Sequence, residues 1–190
     1  MSVKIGLISD VHATPEPLRE ALELFQREQV ATILCAGDVA GYSSELDATA
    51  QQLIESSCQT VAGNHDLWHL RRRNPERDSE VDAWLRGLPL TMALTMEGQR
   101  IAMVHASPPD STLEGIRLLD EEGRLLDSAR TRWGELLRGC RCDVLIVGHT
   151  HQVFAERLGQ VLVINPGSTR FNHSCATLQL PELTVTFHAL

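Results

Sequence analysis

The chain has 190 residues, 43% of them hydrophobic and 22% charged, with 17 Lys+Arg against 25 Asp+Glu for a formal net charge of -8. One folded domain over residues 1–190 suits that length, because single cores saturate near ~250–300 residues, and the apolar fraction excludes general disorder. The acidity, with a pI near 5.4, argues against a nucleic-acid or membrane-surface binder, which needs a positive field, yet admits a small phosphate substrate where a metal supplies the charge.

From the N-terminus, Val3 to Ser9 is a near-continuous apolar run, the signature of a strand buried on both faces. Asp10 and His12 cut it short, so neither a signal peptide nor a span of ~20 apolar residues fits, and a cytoplasmic location is expected. Thr14-Pro15-Glu16 reads as a helix start, with a hydroxyl cap, proline at the first helical position and a carboxylate near the positive dipole end. Leu18, Ala21, Leu22 and Phe25 then share one face. A strand over Thr32 to Ala36, a helix over Glu45 to Glu55 and a strand over Gln59 to Ala62 follow, an opening that implies a parallel sheet.

The next stretch is helical, with Val81, Trp84, Leu85 and Leu88 on one face, and Arg71 to Arg73 read as a solvated basic run. Three hairpins are predicted after it: Thr91–Met96 with Arg100–His105, Val153–Arg157 with Val161–Ile164, and Cys175–Leu180 with Leu183–His188. They suggest a second, mostly antiparallel sheet, with helices over Leu113–Leu119 and Leu126–Leu137 and a strand over Asp143–Val147. Five cysteines form no disulfide framework, which suits a reducing compartment, and Cys140-Arg141-Cys142 lacks the second pair a metal site needs.

The chemistry-bearing residues sit where strands stop: Asp10 and His12, Asp38, Asn64 and His65, His105, His149 and His151. Singly, each has a structural reading, as a turn-capping carboxylate or a hydrogen-bonded strand-end histidine. Together they follow five strand signals, three beside a glycine (Gly37, Gly63, Gly148), and ligands in open α/β sheets collect beyond carboxyl strand ends. Two Asp, one Asn and four His suit manganese, iron, cobalt, nickel or zinc better than calcium or magnesium. Seven ligands exceed what one open ion takes; two divalent ions sharing a carboxylate account for them.

Asp10-Val11-His12, Gly37-Asp38, Gly63-Asn64-His65-Asp66, Val104-His105 and Gly148-His149-Thr150-His151 resemble, in order and approximate spacing, the signature blocks of the calcineurin-like metallophosphoesterases. Gly37 to Tyr42 and Asn165-Pro166-Gly167-Ser168 look most like the small bacterial and archaeal phosphodiesterase branch. The resemblance implies a four-layer α/β/β/α sandwich of two mixed sheets flanked by helices. It implies one metal, manganese first among the candidates, on Asp10, His12, Asp38 and His151. A second would sit on Asp38, Asn64, His105 and His149, with Asp38 bridging. It also implies in-line attack on phosphorus by a hydroxide between the ions, with His65 beside the leaving group as the catalytic residue.

The expected substrate is a phosphodiester or other small phosphorylated molecule, with no protein partner implied. A phosphomonoesterase or nucleotide pyrophosphohydrolase on the same fold is the alternative, and a non-catalytic scaffold, such as a retromer subunit of this fold, ranks lower. Gly41 stands where the Ser/Thr protein phosphatases of the superfamily carry an aspartate that orients the catalytic histidine, which disfavours that branch. Asp66 is a poor replacement, since neighbouring side chains diverge. Asn165 to Ser168 is expected to be a tight loop near the site, with Arg170, Asn172 and His173 in a loop that either meets phosphate or faces solvent. His69, His188, Trp68 and Trp84 are read as structural.

Overall fold

Strand β1 (Val3–Ile8) shows how alternating side chains build layers. Ile5 and Leu7 enter one apolar cluster while Ile8 enters another on the opposite face. The computed structural model describes residues 2–190, the side chain of Arg77 excepted. After β1 come α1 (Pro15–Arg27), β2 (Thr32–Cys35), α2 (Leu46–Glu55), β3 (Gln59–Thr60), α3 (Asn64–Arg71) and α4 (Glu80–Arg86). The second half holds β4 (Thr91–Met96), β5 (Gln99–Val104), α5 (Asp127–Leu136), β6 (Val144–Ile146), β7 (Val153–Leu158), β8 (Val161–Pro166), β9 (Ser174–Leu180) and β10 (Thr184–Ala189).

The strands form two five-stranded sheets, ordered β10-β9-β1-β2-β3 and β4-β5-β6-β8-β7. In the first, β1, β2 and β3 run parallel, while β9 lies antiparallel to both β1 and β10. In the second, β5, β6 and β8 run parallel and the flanking β4 and β7 are antiparallel. Both sheets are therefore mixed, as the four-layer expectation has it.

Between the sheets, Ile5, Leu7 and Leu34 meet Ile101, Met103, Val144, Ile146 and Ile164. Outside the first sheet, Leu18, Ala21 and Phe25 of α1 pack with Leu53 of α2 and Val81 and Leu85 of α4. Outside the second, Trp133 of α5 packs with Leu145, Val147, Val163 and the loop residues Ile116 and Leu118. These three apolar layers are what four stacked layers of secondary structure must bury.

Four expectations are corrected. The last hairpin, β9–β10, joins the first sheet rather than the second, and the second sheet is not mostly antiparallel: two of its four strand pairs, β5–β6 and β6–β8, are parallel. A hairpin turn specifies that two strands pair with each other but not which sheet receives them.

Residues 113–119 form no helix. Leu118 and Leu119 give their backbone N–H groups to the Gln152 side chain instead of to a preceding turn. Lastly, the Thr14 hydroxyl donates to the His12 carbonyl at 3.1 Å and leaves the α1 N–H groups uncapped by its side chain.

Candidate metal centre

The carboxyl ends of the central strands of both sheets open onto one place. Asp10 and His12 follow β1, Asp38 follows β2, and Asn64 and His65 open α3 just beyond β3. From the other sheet, His105 follows β5, and His149 and His151 lie between β6 and β7. The His149 N–H donates to the Asp10 carboxylate at 3.0 Å, stitching the two sheets together at the site.

Donor atoms of Asp10, His12 and His151 lie within 4.8 Å of one another, as do those of Asp10, Asp38 and His105, and those of His12, Asp38 and His65. The Asn64 Oδ1 stands 3.1 Å from His105 Nε2 and 2.9 Å from His149 Nδ1. All seven candidate ligands and His65 thus meet in one cluster. Only the sharpness of the distinction between His65 and the ligand set is less than expected, because its ring nitrogen is within reach of Asp38 and His12.

Local backbone explains how short loops deliver these groups. Asp10, His12, Asp38, His149 and His151 all take φ between 51° and 66°, the left-handed region that non-glycine residues rarely occupy. Such outliers persist only where surroundings over-determine them, and they collect at functional sites. The surroundings here are backbone hydrogen bonds from Asp10 and His12 to the carbonyls of Gly37 and Asp38. The Ser168 hydroxyl donates to the Asp10 carbonyl at 2.6 Å, and the Asn165 amide to the Gly148 carbonyl at 2.9 Å. So Asn165 to Ser168 braces the site from behind. Gly148 is needed because a Cβ there would overlap the Ser9 hydroxyl and come within 2.6 Å of the Asp10 carboxylate.

Burial and charge set the electrostatics. Asp10, His12 and His105 are fully buried. Burial works against charge on Asp10, but the hydrogen bond from His151, the nearby His105 and the Ser9 hydroxyl together hold its carboxyl below the ordinary value. Burial brings His12 down to about 4 despite Asp10 and Asp38. For His105, burial is outweighed by Asp38, Asp10 and the hydrogen bond to the Ala36 carbonyl, which raise it to about 9. Burial and the Asp38 charge push Asp66 up to about 7. Its two oxygens accept the N–H groups of Ala40 and Gly63 at 2.7 and 2.8 Å, so Asp66 serves the backbone and not His65.

What orients His65 is aromatic packing. Its ring lies 4.7 Å from Tyr42, 4.9 Å from Trp68 and 4.9 Å from His12. A Cβ at Gly41 would sit 2.6 Å from His12 Nδ1 and 3.2 Å from His65 Nδ1, so position 41 faces His65 but this backbone leaves no room for a side chain. Tyr42 and Phe171 were not singled out in the sequence. They are 61% and 47% exposed and flank His12 and His151 at the rim.

Trp68, read as a structural core or helix-packing residue, is 40% exposed and lies beside His65. Arg170 lies over the Tyr42 and Phe171 rings and donates to Thr14 and Ser43. His69 pairs with Asp82, His188 meets Thr177, and Trp84 packs partly buried against the helical layer.

The donor set fits a cation. His105 and His12 turn Nδ1 toward the carbonyls of Ala36 and Ala40, at 2.7 and 3.3 Å, leaving Nε2 facing the cluster. That is the arrangement in which a ligating histidine donates its other ring N–H to a backbone acceptor. Hydrogen bonding alone favours the Asn64 amide turned over, its NH2 donating to His105, His149 and the Thr112 carbonyl. A cation among the same nitrogens favours Oδ1 inward.

The sequence matches the family model for the calcineurin-like phosphoesterase superfamily domain over residues 3–180. It is similar to phosphodiesterase YfcE of Escherichia coli, at 25% identity over 87% of this chain and 79% of the relative. It is also similar to phosphodiesterase MJ0936 of Methanocaldococcus jannaschii, at 26% identity over 87% and 83%. Among solved structures, the hypothetical protein PH1004 of Pyrococcus horikoshii superposes with a TM-score of 0.78 at 16% identity, covering 99% of this chain and 88% of that one. The chain belongs to the calcineurin-like phosphoesterase superfamily, a family of metal-dependent enzymes, and has its mixed two-sheet fold.

Proposed function

We propose that the protein is a dinuclear metal-dependent phosphodiesterase acting on a small phosphorylated molecule. The observation that carries this reading is the meeting of seven oxygen and nitrogen donors from both sheets around Asp10 and Asp38. Asp10, His12, Asp38 and His151 would hold one ion, and Asn64, His105 and His149 the other, with Asp38 shared. Bound there, such ions supply positive charge to the phosphoryl oxygens and lower the pKa of a water toward neutrality.

The chain's own groups do the rest. Asp38 accepts the His65 N–H at 2.8 Å and so ties the start of α3 to the ligand cluster. His65, clamped between Tyr42 and Trp68, holds a proton for the departing oxygen as the bond from phosphorus to that oxygen breaks and a water oxygen bonds to phosphorus. Tyr42, Phe171 and Trp68 wall the mouth. No described helix is long and apolar enough to cross a membrane. The five free thiols suit a reducing compartment, and we assign the protein to the cytoplasm.

The test is hydrolysis of bis(p-nitrophenyl) phosphate and of p-nitrophenyl phosphate by protein loaded with manganese, zinc, nickel or cobalt, with metal content measured in parallel. Two ions per chain and a preference for the diester are expected. Preference for the monoester would move the assignment to a phosphomonoesterase. Metal-loaded protein inert toward both esters and toward nucleotides would leave the scaffold reading standing.

A further inference from the structure

One face of α3 carries more than His65. Trp68, His69 and Arg72 follow it at helical spacing, and these residues, with Tyr42 and Arg73, line a cavity of about 620 Å³ that opens beside the metal centre. At ~1.5 Å per residue, the helix sets Arg72 roughly 10 Å from His65 along its axis, with Trp68 at an intermediate position on the same face and its ring 4.9 Å from that of His65. We propose that this cavity is the leaving-group subsite, and that it selects a leaving group made of a planar base and a second phosphate, that is, a nucleoside monophosphate unit. The inference rests on the phosphodiesterase reading above and names the class of substrate.

Three features of the cavity carry it. First, its aromatic surfaces are open, with Tyr42 61% and Trp68 40% exposed. Tyr42 is also held in place: Arg170 sits 5.7 Å from its ring centroid and is anchored on the hydroxyls of Thr14 and Ser43. A base stacks on such a ring whatever its identity, because every base offers a π face.

Second, the far end of the cavity is cationic within an acidic protein. Arg72 has no carboxylate within ion-pair distance among the described residues, and Arg73 has only a loose approach to Asp82 at 3.9 Å. Two guanidinium groups so placed suit a phosphate, which they can hold by paired N–H donors. Third, the order along the helix, His65 then Trp68 then Arg72, matches the order of parts in the proposed leaving group: scissile oxygen, base-bearing sugar, distal phosphate.

The probes are adenosine 5′-monophosphate, adenosine and inorganic phosphate, titrated calorimetrically into the full metal-loaded chain. The expected result is that the nucleotide binds at least tenfold tighter than either adenosine or phosphate. In the Arg72→Ala/Arg73→Ala double variant that affinity should fall about tenfold, with inorganic phosphate, which reports on the metal centre, unchanged. Trp68→Leu should weaken adenosine and the nucleotide together and again spare phosphate.

Nucleotide no tighter than phosphate, or the arginine variant losing both ligands equally, overturns the proposal. Circular dichroism of each variant, and the retained phosphate affinity, separate loss of the subsite from loss of fold. Hydrolysis of bis(p-nitrophenyl) phosphate by the same wild-type preparation keeps the two readings apart. If the ester is cleaved and the nucleotide is ignored, the subsite inference fails alone. If the ester is not cleaved, the phosphodiesterase reading fails and takes the leaving-group role with it.

Discussion

The two halves of the site are built by different means. The inner half, Asn64, His105 and His149 with Asp38, is mostly closed off: His105 is fully buried, Asn64 is 3% exposed, only His149 is part-exposed, and His105 is aimed by a backbone carbonyl. The outer half, His151 and His65 with Tyr42, Phe171 and Trp68, is open and held by tilted, edge-to-face and stacked ring contacts. Hydrogen bonds to backbone fix direction closely, as a metal ligand requires, whereas ring packing fixes a surface and leaves it free to receive a substrate. Loss of a buried ligand should therefore cost metal, whereas loss of His65 or of the rings around it should cost turnover.

Asp38→Ala is the most damaging way to probe that division, because in the proposed arrangement its carboxylate would serve both ions. We expect loss of both ions and a fall in kcat/KM for bis(p-nitrophenyl) phosphate of about a thousandfold or more, several kcal/mol of lost charge stabilisation. Elemental analysis showing two ions still bound would remove Asp38 from the bridging position. His65→Ala should keep the metal and lower kcat by roughly 10²–10⁴-fold, the usual range for a lost general acid. Equal metal loss in the two variants would erase the distinction between the halves.

A smaller effect is expected behind the ligands. The Ser9 hydroxyl donates to Asp10 at 2.6 Å, and Ser9→Ala should weaken metal affinity by about 10–100-fold while leaving the fold intact. Competition with a chelator measures it.

The mildest probe is pH. In metal-free protein His105 is raised to about 9, so the stability that its proton confers is fully present below the ordinary value of 6.5 and is lost as pH rises through 9. Metal binding needs that nitrogen deprotonated and should strengthen across the same window. Melting curves from pH 6.5 to 9 should show the metal-free Tm falling and the metal-dependent gain in Tm growing. A metal-free His105→Ala variant should lose the slope. His12, lowered to about 4, works the other way: a neutral buried imidazole costs stability as pH falls from 6.5 to 4.

Much of the inner half was legible in the letters because it is made of scarce residue types at strand ends, three of them beside a glycine (Gly37, Gly63 and Gly148). The outer half was not. Tyr42 and Phe171 lie 129 positions apart in the chain yet their rings meet at 5.3 Å, and no local pattern announces that contact. Trp68 carries the same ambiguity, since an aromatic at helical spacing serves a core or a cavity wall equally well, and only the exposed side of α3 decides. The misplaced helix at 113–119 failed for a related reason. Leu113, Ile116 and Leu119 recur every three residues, a plausible helical spacing, but Gln152 captures two of the N–H groups such a helix would need.

Alternation of apolar residues, turn chemistry and the identity of the strand-end polar groups are properties of the chain over a few residues. They suffice for most of the order of elements, for the buried character of β1 and for which polar groups stand at the strand ends. Which sheet takes the β9–β10 hairpin, which aromatic rings line the mouth and which arginines line the cavity beside His65 depend on contacts between distant segments, whose closure entropy is repaid only by the assembled core. Those were settled by packing in three dimensions.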